Sequence, residues 1–193
     1  KCNNYFCYSR DNSIQEWELV GFATGFDFSQ YGKTNNQPLS LETNFEDKYP
    51  LISINCKFPT SDYPMTLLIP ATVKNIKSNV FAKVQNVKMD LTFGDDISIE
   101  NSAFEQCTGL TSLKFTGSVN KIGDSSFSGC IGLTTLSTID VEHIGSKAFY
   151  GCSNLKGTLI LSPKTKSLGD STFSECSQLT GGLTIPSSIE SIG

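Results

Sequence analysis

The chain has 193 residues, of which 38% are hydrophobic and 18% are charged, and its formal net charge at pH 7 is −4. This balance is typical of a folded protein and argues against a disordered chain. This mild acidic excess gives no electrostatic indication of nucleic-acid binding, which would need clustered Lys and Arg side chains, so we expect no nucleic-acid partner. No apolar run approaches the roughly 20 residues that span a bilayer, so we expect no transmembrane segment in this chain.

The first 60 residues contain no internal repeat. Trp17 and Leu19 alternate with charged residues, which favours a β-strand over a helix. The segment Leu51-Ile-Ser-Ile-Asn-Cys56 is a further candidate strand. Because a stack of repeats would expose an apolar end, we expect residues 1–60 to form a β-rich N-terminal cap.

Three of the seven cysteines, Cys2, Cys7 and Cys56, lie in this cap. In a secreted protein a disulfide bond would stabilise it, so we expect Cys56 to pair with Cys2 or Cys7. The alternatives are that all three thiols are reduced, or that a disulfide bond joins Cys2 directly to Cys7. The cysteines lack the paired Cys-x-x-Cys spacing of a zinc site and the chain has one His, so we expect no metal and no cofactor.

A nine-residue motif recurs through the rest of the chain. Ile122–Cys130 reads Ile-Gly-Asp-Ser-Ser-Phe-Ser-Gly-Cys, and its central phenylalanine has counterparts at positions 81, 104, 149 and 173. Repetition at 22 to 24 residues predicts a solenoid of stacked coils. We assign residues 61–193 to an array of about five units. A further copy begins at Ile192, so we expect the natural chain to continue beyond a truncated last unit.

Each unit has two halves. In the first, apolar residues two positions apart, such as Leu113 and Phe115, face the interior of a short strand. In the second, the motif turns back, with its Gly allowing a tight bend and its Ile and Phe filling the interior. We expect the motif cysteines to be reduced and packed, because Val84 occupies the same place in an early copy. The predicted fold is an α/β-type repeat solenoid dominated by short parallel strands.

Residues between the inward-facing strand positions should face outward and form columns across the sheet. We predict that these mostly small, polar side chains make a flat, hydrogen-bonding face for a ligand. One predicted column contains Leu68, Thr92, Lys114, Ser137, Ile160 and Thr184, and the column beside it contains Asp90, Ser112, Thr135 and Thr158.

The pattern Leu-Thr-x-x-Leu-Thr-Ile-Pro-Ser-Ser-Ile-x-Ser-Ile-Gly-Asp-Ser-x-Phe-Ser-x-Cys resembles the BspA-like leucine-rich repeat over residues 66–193. Val84, Lys77 and Glu100 depart from it, and the unit from Thr138 to Ile144 is one residue short. The resemblance implies a leucine-rich-repeat protein, cell-surface or secreted, of the kind that microbes use as adhesins or receptors. Its expected partner is a protein or glycan on a host cell or in the matrix.

Other functions find less support in the residues. His143 is the only imidazole, so no Ser-His or Cys-His pair is evident and we predict no catalytic residue. Acidic residues at 95, 96 and 100 predict a surface turn, and lysines at 74, 77, 83 and 88 a solvated face. The chain is therefore predicted to be a non-enzymatic binding module.

An intracellular or self-assembling scaffold is the alternative. In this case Ile185, Ile189 and Ile192 would form an exposed C-terminal edge through which two copies of the chain could dimerise.

Overall fold

The computed structural model describes residues 6–11, 16–22, 39–41, 51–61, 63–182 and 184–193. Within these ranges the chain consists of short strands joined by turns. The strands are β1 (Phe6–Asp11), β2 (Glu16–Phe22), β3 (Leu39–Ser40), β4 (Leu51–Ile54), β5 (Met65–Leu68), β6 (Asn75–Ile76), β7 (Val87–Phe93), β8 (Ile97–Ile99), β9 (Leu110–Phe115), β10 (Val119–Ile122), β11 (Thr135–Leu136), β12 (His143–Ile144), β13 (Ser167–Leu168) and β14 (Ser191–Ile192).

The strands form two sheets. A five-stranded sheet has the order β11-β9-β7-β5-β3, and a nine-stranded sheet has the order β1-β2-β4-β6-β8-β10-β12-β13-β14. Neighbouring strands are parallel throughout, except that β1 and β2 form an antiparallel pair. The predicted solenoid of parallel strands is confirmed, and it has a second sheet that the sequence pattern did not reveal.

The apolar core lies inside the coils. Along β7 burial alternates at every residue, so that Val87, Met89 and Leu91 are buried while Asp90 and Thr92 are exposed. This period of two is the geometry of a strand with one face on the core. In the nine-stranded sheet, the apolar residues that open successive motifs lie in register, as in the pairing of the buried Ile122 with the buried Ile144.

The motif phenylalanines stack in one column through the interior, as expected. Those of the repeats are Phe81, Phe104, Phe127, Phe149 and Phe173, with neighbouring ring centroids 4.9 to 5.2 Å apart. Phe58 adds a tilted ring whose centroid lies 4.6 Å from that of Phe81. The column therefore extends into the region assigned to the cap.

The α/β description was wrong, because the described residues contain no helix. The second half of each unit is instead a series of turns with positive φ at regular positions, such as 53° at Ser125 and 68° at Gly129. A helix requires negative φ at every residue, so these positions interrupt it. Alternate backbone N–H groups bond to the next coil, as when Phe127 N–H donates to Ala148 O at 2.8 Å. Those between them close turns within the coil, as when Ser128 N–H donates to Ser125 O at 3.1 Å.

The motif glycines have a different role from the bend we predicted. Gly123, Gly145 and Gly169 do not have positive φ. A Cβ atom at Gly145 would lie 2.6 Å from the backbone nitrogen of Asp124, and one at Gly169 would lie 2.4 Å from that of Ser146. Glycine is therefore needed because the preceding coil occupies the space of a side chain.

The motif cysteines are free and buried, as predicted. The thiols of Cys130, Cys152 and Cys176 each donate to the phenylalanine carbonyl of the preceding coil. The Sγ of Cys130 lies 3.0 Å from Phe104 O, and that of Cys152 lies 3.2 Å from Phe127 O. Burial raises the pKa of the Cys107 thiol to about 12, so this group remains protonated near neutral pH.

The strands predicted near Trp17 and Leu51 are present as β2 and β4. Because β4 pairs with β6, and β3 with β5, both sheets run across residue 60. The division at that residue stays a prediction. Cys56 is half-buried, while Cys2 and the side chain of Cys7 lie outside the described residues. The pairing of Cys56 with either cysteine also stays a prediction.

Candidate ligand-binding face

All ten residues predicted to face outward lie at the surface. Eight of them are exposed, namely Leu68, Asp90, Thr92, Lys114, Thr135, Thr158, Ile160 and Thr184. Ser112 and Ser137 are half-buried. The alternating burial of the strands places these side chains opposite the core.

The strand register aligns part of this set into two columns. Ser112 of β9 pairs with Asp90 of β7 on one side and with Thr135 of β11 on the other. Thr92 pairs with Lys114 in the second column. Ser137 extends that column, since its hydroxyl accepts the Phe115 N–H at 2.8 Å. The centre of the five-stranded sheet therefore presents the predicted polar face.

Leu68 belongs to a different column from the one we predicted. Thr66 pairs with Lys88, so counting two residues along each strand places Leu68 level with Asp90 rather than Thr92. It remains on the outward side and is 44% exposed. The error arose because the first unit was aligned by its Leu-Ile-Pro ending, whereas its strand is shifted by two residues.

The face is interrupted after β11. That strand ends the five-stranded sheet, and Ile160 forms an isolated bridge with Thr184 in the following coil. Leu155 and Leu159 are four residues apart, whereas Leu133 and Leu136 of the preceding coil are three apart. The additional residue disturbs the strand register. Ile160, 57% exposed, and Thr184 therefore form a second, separate part of the face.

Hydrogen bonds from neighbouring coils fix the one carboxylate in the centre of the face. The Thr111 hydroxyl donates to Asp90, and it is the main cause that lowers the pKa of that carboxyl. Burial opposes this effect and raises the pKa, while hydrogen bonds from Lys88 and Ser112 lower it further, so the net shift is downward. Asp90 is therefore ionised and held in place at neutral pH.

The lysines near the first units do not form a free basic patch. Lys74 pairs with Asp96 at 3.7 Å, and Lys77 pairs with Glu100 at 3.1 Å. Lys88 pairs with Asp90 at 3.2 Å. Across the described part of the chain, no three His, Cys, Asp or Glu side chains are grouped to hold a metal ion.

The structure joins His143 to a serine that the sequence did not indicate. Its Nδ1 lies 2.7 Å from the Ser167 hydroxyl, and its Nε2 lies 3.9 Å from a carboxylate oxygen of Glu142. Ser167 is 24 residues away in the chain, so only the coil stacking brings the two together. With His143 65% exposed on an open sheet, a substrate here would remain in contact with water.

A groove of about 460 Å³ opens beside this face, at the C-terminal end of β9. Asp95, Ser118, Thr138, Asp140 and Lys164 contribute to its lining. We predicted a flat surface without a pocket and missed the groove. The sequence feature that could have predicted the groove is the segment from Thr138 to Ile144, which is shorter than the corresponding segments of the neighbouring coils.

Together, the stacked coils and their parallel strands define a solenoid repeat protein. The model of the BspA type leucine rich repeat region matches residues 74–193 with six copies, about one more than we counted. The chain therefore belongs to the BspA-type leucine-rich-repeat family, as its motif suggested. No curated protein matches the chain.

Two solved structures share the fold. A leucine-rich repeat protein from Bacteroides ovatus is 21% identical with a TM-score of 0.60, and the match covers 100% of this chain and 55% of that one. A leucine-rich repeat protein from T. pallidum is also 21% identical, with a TM-score of 0.67 over 97% of this chain and 83% of that one. The chain thus spans about half of the first neighbour's length.

Within the described residues, no helix has the length and apolar character required to cross a membrane.

Proposed function

We propose that the chain is a non-enzymatic binding module of a cell-surface or secreted microbial protein. Its role is adhesion to, or recognition of, a protein or glycan on a host cell or in the matrix. The observation that carries this proposal is the aligned polar surface of the five-stranded sheet, where Asp90, Ser112 and Thr135 lie side by side and Thr92 lies beside Lys114. Solenoid repeats characteristically bind partners through such extended surfaces.

The composition of the face supports a macromolecular partner. Small hydroxyl side chains leave the strands accessible, and the exposed Leu68 and Ile160 add apolar contact area at two separate places. A partner would therefore contact several coils at once, since neighbouring strands lie about 4.8 Å apart.

The test is to place negative charge on the face without changing the core. Thr92→Glu with Ile160→Glu should reduce the binding of fluorescently labelled protein to cultured epithelial cells and to extracted matrix at least about tenfold, because both charges would have to be buried by the partner. The double variant lowers the net charge by two. Lys121→Glu, on the nine-stranded sheet, lowers it by the same amount and is the matched control.

Circular dichroism should show that both variants retain the fold. Equal binding by the double variant and the unchanged chain would contradict the proposed face. Equal loss in the double variant and the control would indicate that net charge matters and that the position on the molecule does not.

Self-assembly is a second candidate, favoured by the last coil. Ile185 is 52% exposed and Ile192 is 53% exposed, and β14 is the end strand of the nine-stranded sheet. The predicted contribution of Ile189 is smaller, since that side chain packs partly against the core.

Such an edge could pair with that of a second copy to form a homodimer, in a surface protein or an intracellular scaffold. Sedimentation velocity at several protein concentrations should then show a dimer. Ile185→Glu with Ile192→Glu should shift the dimer to a monomer, whereas Ile131→Glu, at another exposed isoleucine, should not. A monomer at every concentration would contradict self-assembly.

A further inference from the structure

The groove beside the five-stranded sheet results from unequal coil lengths. Leu113 pairs with Leu136, and Ser118 pairs with Asp140. The chain therefore advances five residues between these pairs in one coil but four residues in the next. Ile139 pairs with Leu161, and His143 pairs with Ser167. Between these pairs the short coil advances four residues, whereas the following coil advances six. The short corner containing Thr138 and Asp140 is therefore recessed between two longer neighbours.

The two carboxylates of the groove differ in their partners. Asp140 is neutralised, because one of its oxygens lies 2.8 Å from the Lys164 ammonium and the other accepts the Ser162 hydroxyl at 2.6 Å. Within the described part of the chain, the hydrogen bond that Asp95 accepts comes from the backbone N–H of Ser118, at 3.1 Å. Among the described residues no Lys, Arg or His nitrogen pairs with Asp95. Its charge is therefore available to a ligand.

The backbone of the next coil holds the Asp95 carboxylate in position. A Cβ atom at residue 117 would lie 1.8 Å from its Oδ1, so only glycine permits this placement. The Ser118 N–H then fixes the same oxygen. A charged group that is oriented before its partner arrives loses less conformational freedom on binding.

We propose that this groove receives a basic side chain, arginine or lysine, from a segment of a protein partner, with Asp95 as its counter-ion. The charges of Asp95, Asp140 and Lys164 sum to −1, which matches one cation. The Thr138 hydroxyl offers a hydrogen-bond acceptor nearby. A volume of about 460 Å³ accommodates one long side chain.

The groove is less suited to a sugar. Saccharide rings commonly pack on the open face of an aromatic side chain, and the one aromatic ring here, Phe115, is only 7% exposed. Charge complementarity therefore favours a basic protein segment over a glycan.

The experiment uses the peptide acetyl-Gly-Ser-Arg-Ser-Gly-amide and the same peptide with citrulline, which keeps the shape of arginine without its charge. Both are titrated into ¹⁵N-labelled protein, and the amide shifts of Ser118 and Thr138 are followed by NMR. The arginine peptide should bind about twofold to fivefold more tightly than the citrulline peptide, which is the range that one partly exposed ion pair provides. Equal affinities would overturn the proposal.

Three variants assign the effect to its residues. Asp95→Asn should abolish the preference for arginine while retaining the hydrogen bond to Ser118. Asp96→Asn is the control, since that neighbouring carboxylate already pairs with Lys74. Lys164→Gln should strengthen arginine binding by a few fold, because it leaves Asp140 without its cation. An unchanged preference in Asp95→Asn, or weaker binding in Lys164→Gln, would refute the assignment.

A titration with methyl α-glucoside tests the other ligand class. Shifts at Ser118 and Thr138 with the glucoside and none with the arginine peptide would replace the proposal with a saccharide site. The variant Thr92→Glu with Ile160→Glu should keep its arginine affinity even if it loses cell binding. A result that contradicts the proposal for the groove can thus be distinguished from one that contradicts the proposed function of the sheet face.

Discussion

At the scale of single residues, the close approach of the coils determines which side chains fit. Ser125 and Lys147 adopt φ of 53° and 55°, a conformation that costs an ordinary L-residue about 1–2 kcal/mol. The hydrogen bonds between coils offset this cost. Ser125 N–H donates to Ser146 O at 2.8 Å, and Lys147 N–H donates to Asp170 O at 2.8 Å. Stacking therefore imposes the backbone conformation on residues that do not favour it.

The motif glycines give the clearest residue-scale prediction. Gly145→Ala should lower the free energy of unfolding by about 1–3 kcal/mol, because the new methyl group would force two coils apart. A Cβ atom there would lie 2.6 Å from both the backbone nitrogen and the Oδ1 of Asp124, and the backbone atom cannot move independently. Urea denaturation followed by circular dichroism measures the change.

Gly182→Ala is the matched control. A Cβ at Gly182 has no atom within 4 Å, and its φ is not positive. This variant should be neutral or more stable by up to about 1 kcal/mol, since alanine restricts the unfolded chain. If Gly145→Ala were as stable as the control, the motif glycine would not be required for coil spacing.

At the scale of elements, the sequence predicted the five-stranded sheet well, but in the nine-stranded sheet it predicted only strands of the N-terminal region and none of the short strands of the repeats. Strands such as β7 have seven residues with a clean alternation of burial, which is a strong pattern. Strands of the other sheet, such as β12 and β13, have two residues each. A single buried Ile with a polar neighbour carries no periodicity. These strands exist because the coils are stacked, and no local preference reveals them.

The candidate site was predictable to the same extent. Outward positions follow directly from strand alternation, and all ten residues lie at the surface. The register of Leu68, the break before Ile160 and the groove at Asp140 depend on how coils of unequal length align. One additional or missing residue shifts every later contact in a coil. Such shifts cannot be located without the coordinates of the neighbouring coil.

At the scale of the whole molecule, ion pairs join adjacent coils along the array. Three of these pairs connect residues that are 23 or 24 positions apart in the chain: Lys77 with Glu100, Lys164 with Asp140, and Lys166 with Glu142. In a solenoid each repeat contacts only its neighbours, so stability is approximately a sum of such interfaces. The carboxylates at these interfaces therefore link the stability of the array to pH.

The pH dependence follows from the direction of the pKa shifts. A hydrogen bond from Lys164 lowers the pKa of Asp140 below its ordinary 3.8, and one from Lys166 lowers the pKa of Glu142 below 4.5. A carboxyl whose pKa is lower in the folded state stabilises the fold above its unfolded pKa, and this contribution is lost as pH falls through the folded value. Thermal unfolding should therefore give a constant Tm between about pH 5 and 7 and a decreasing Tm below about pH 4.5. The double variant Asp140→Asn with Glu142→Gln should have a lower Tm at pH 7, and its Tm should decrease less steeply in acid. If its Tm decreased in acid as steeply as that of the unchanged chain, these ion pairs would not be the cause of the pH dependence.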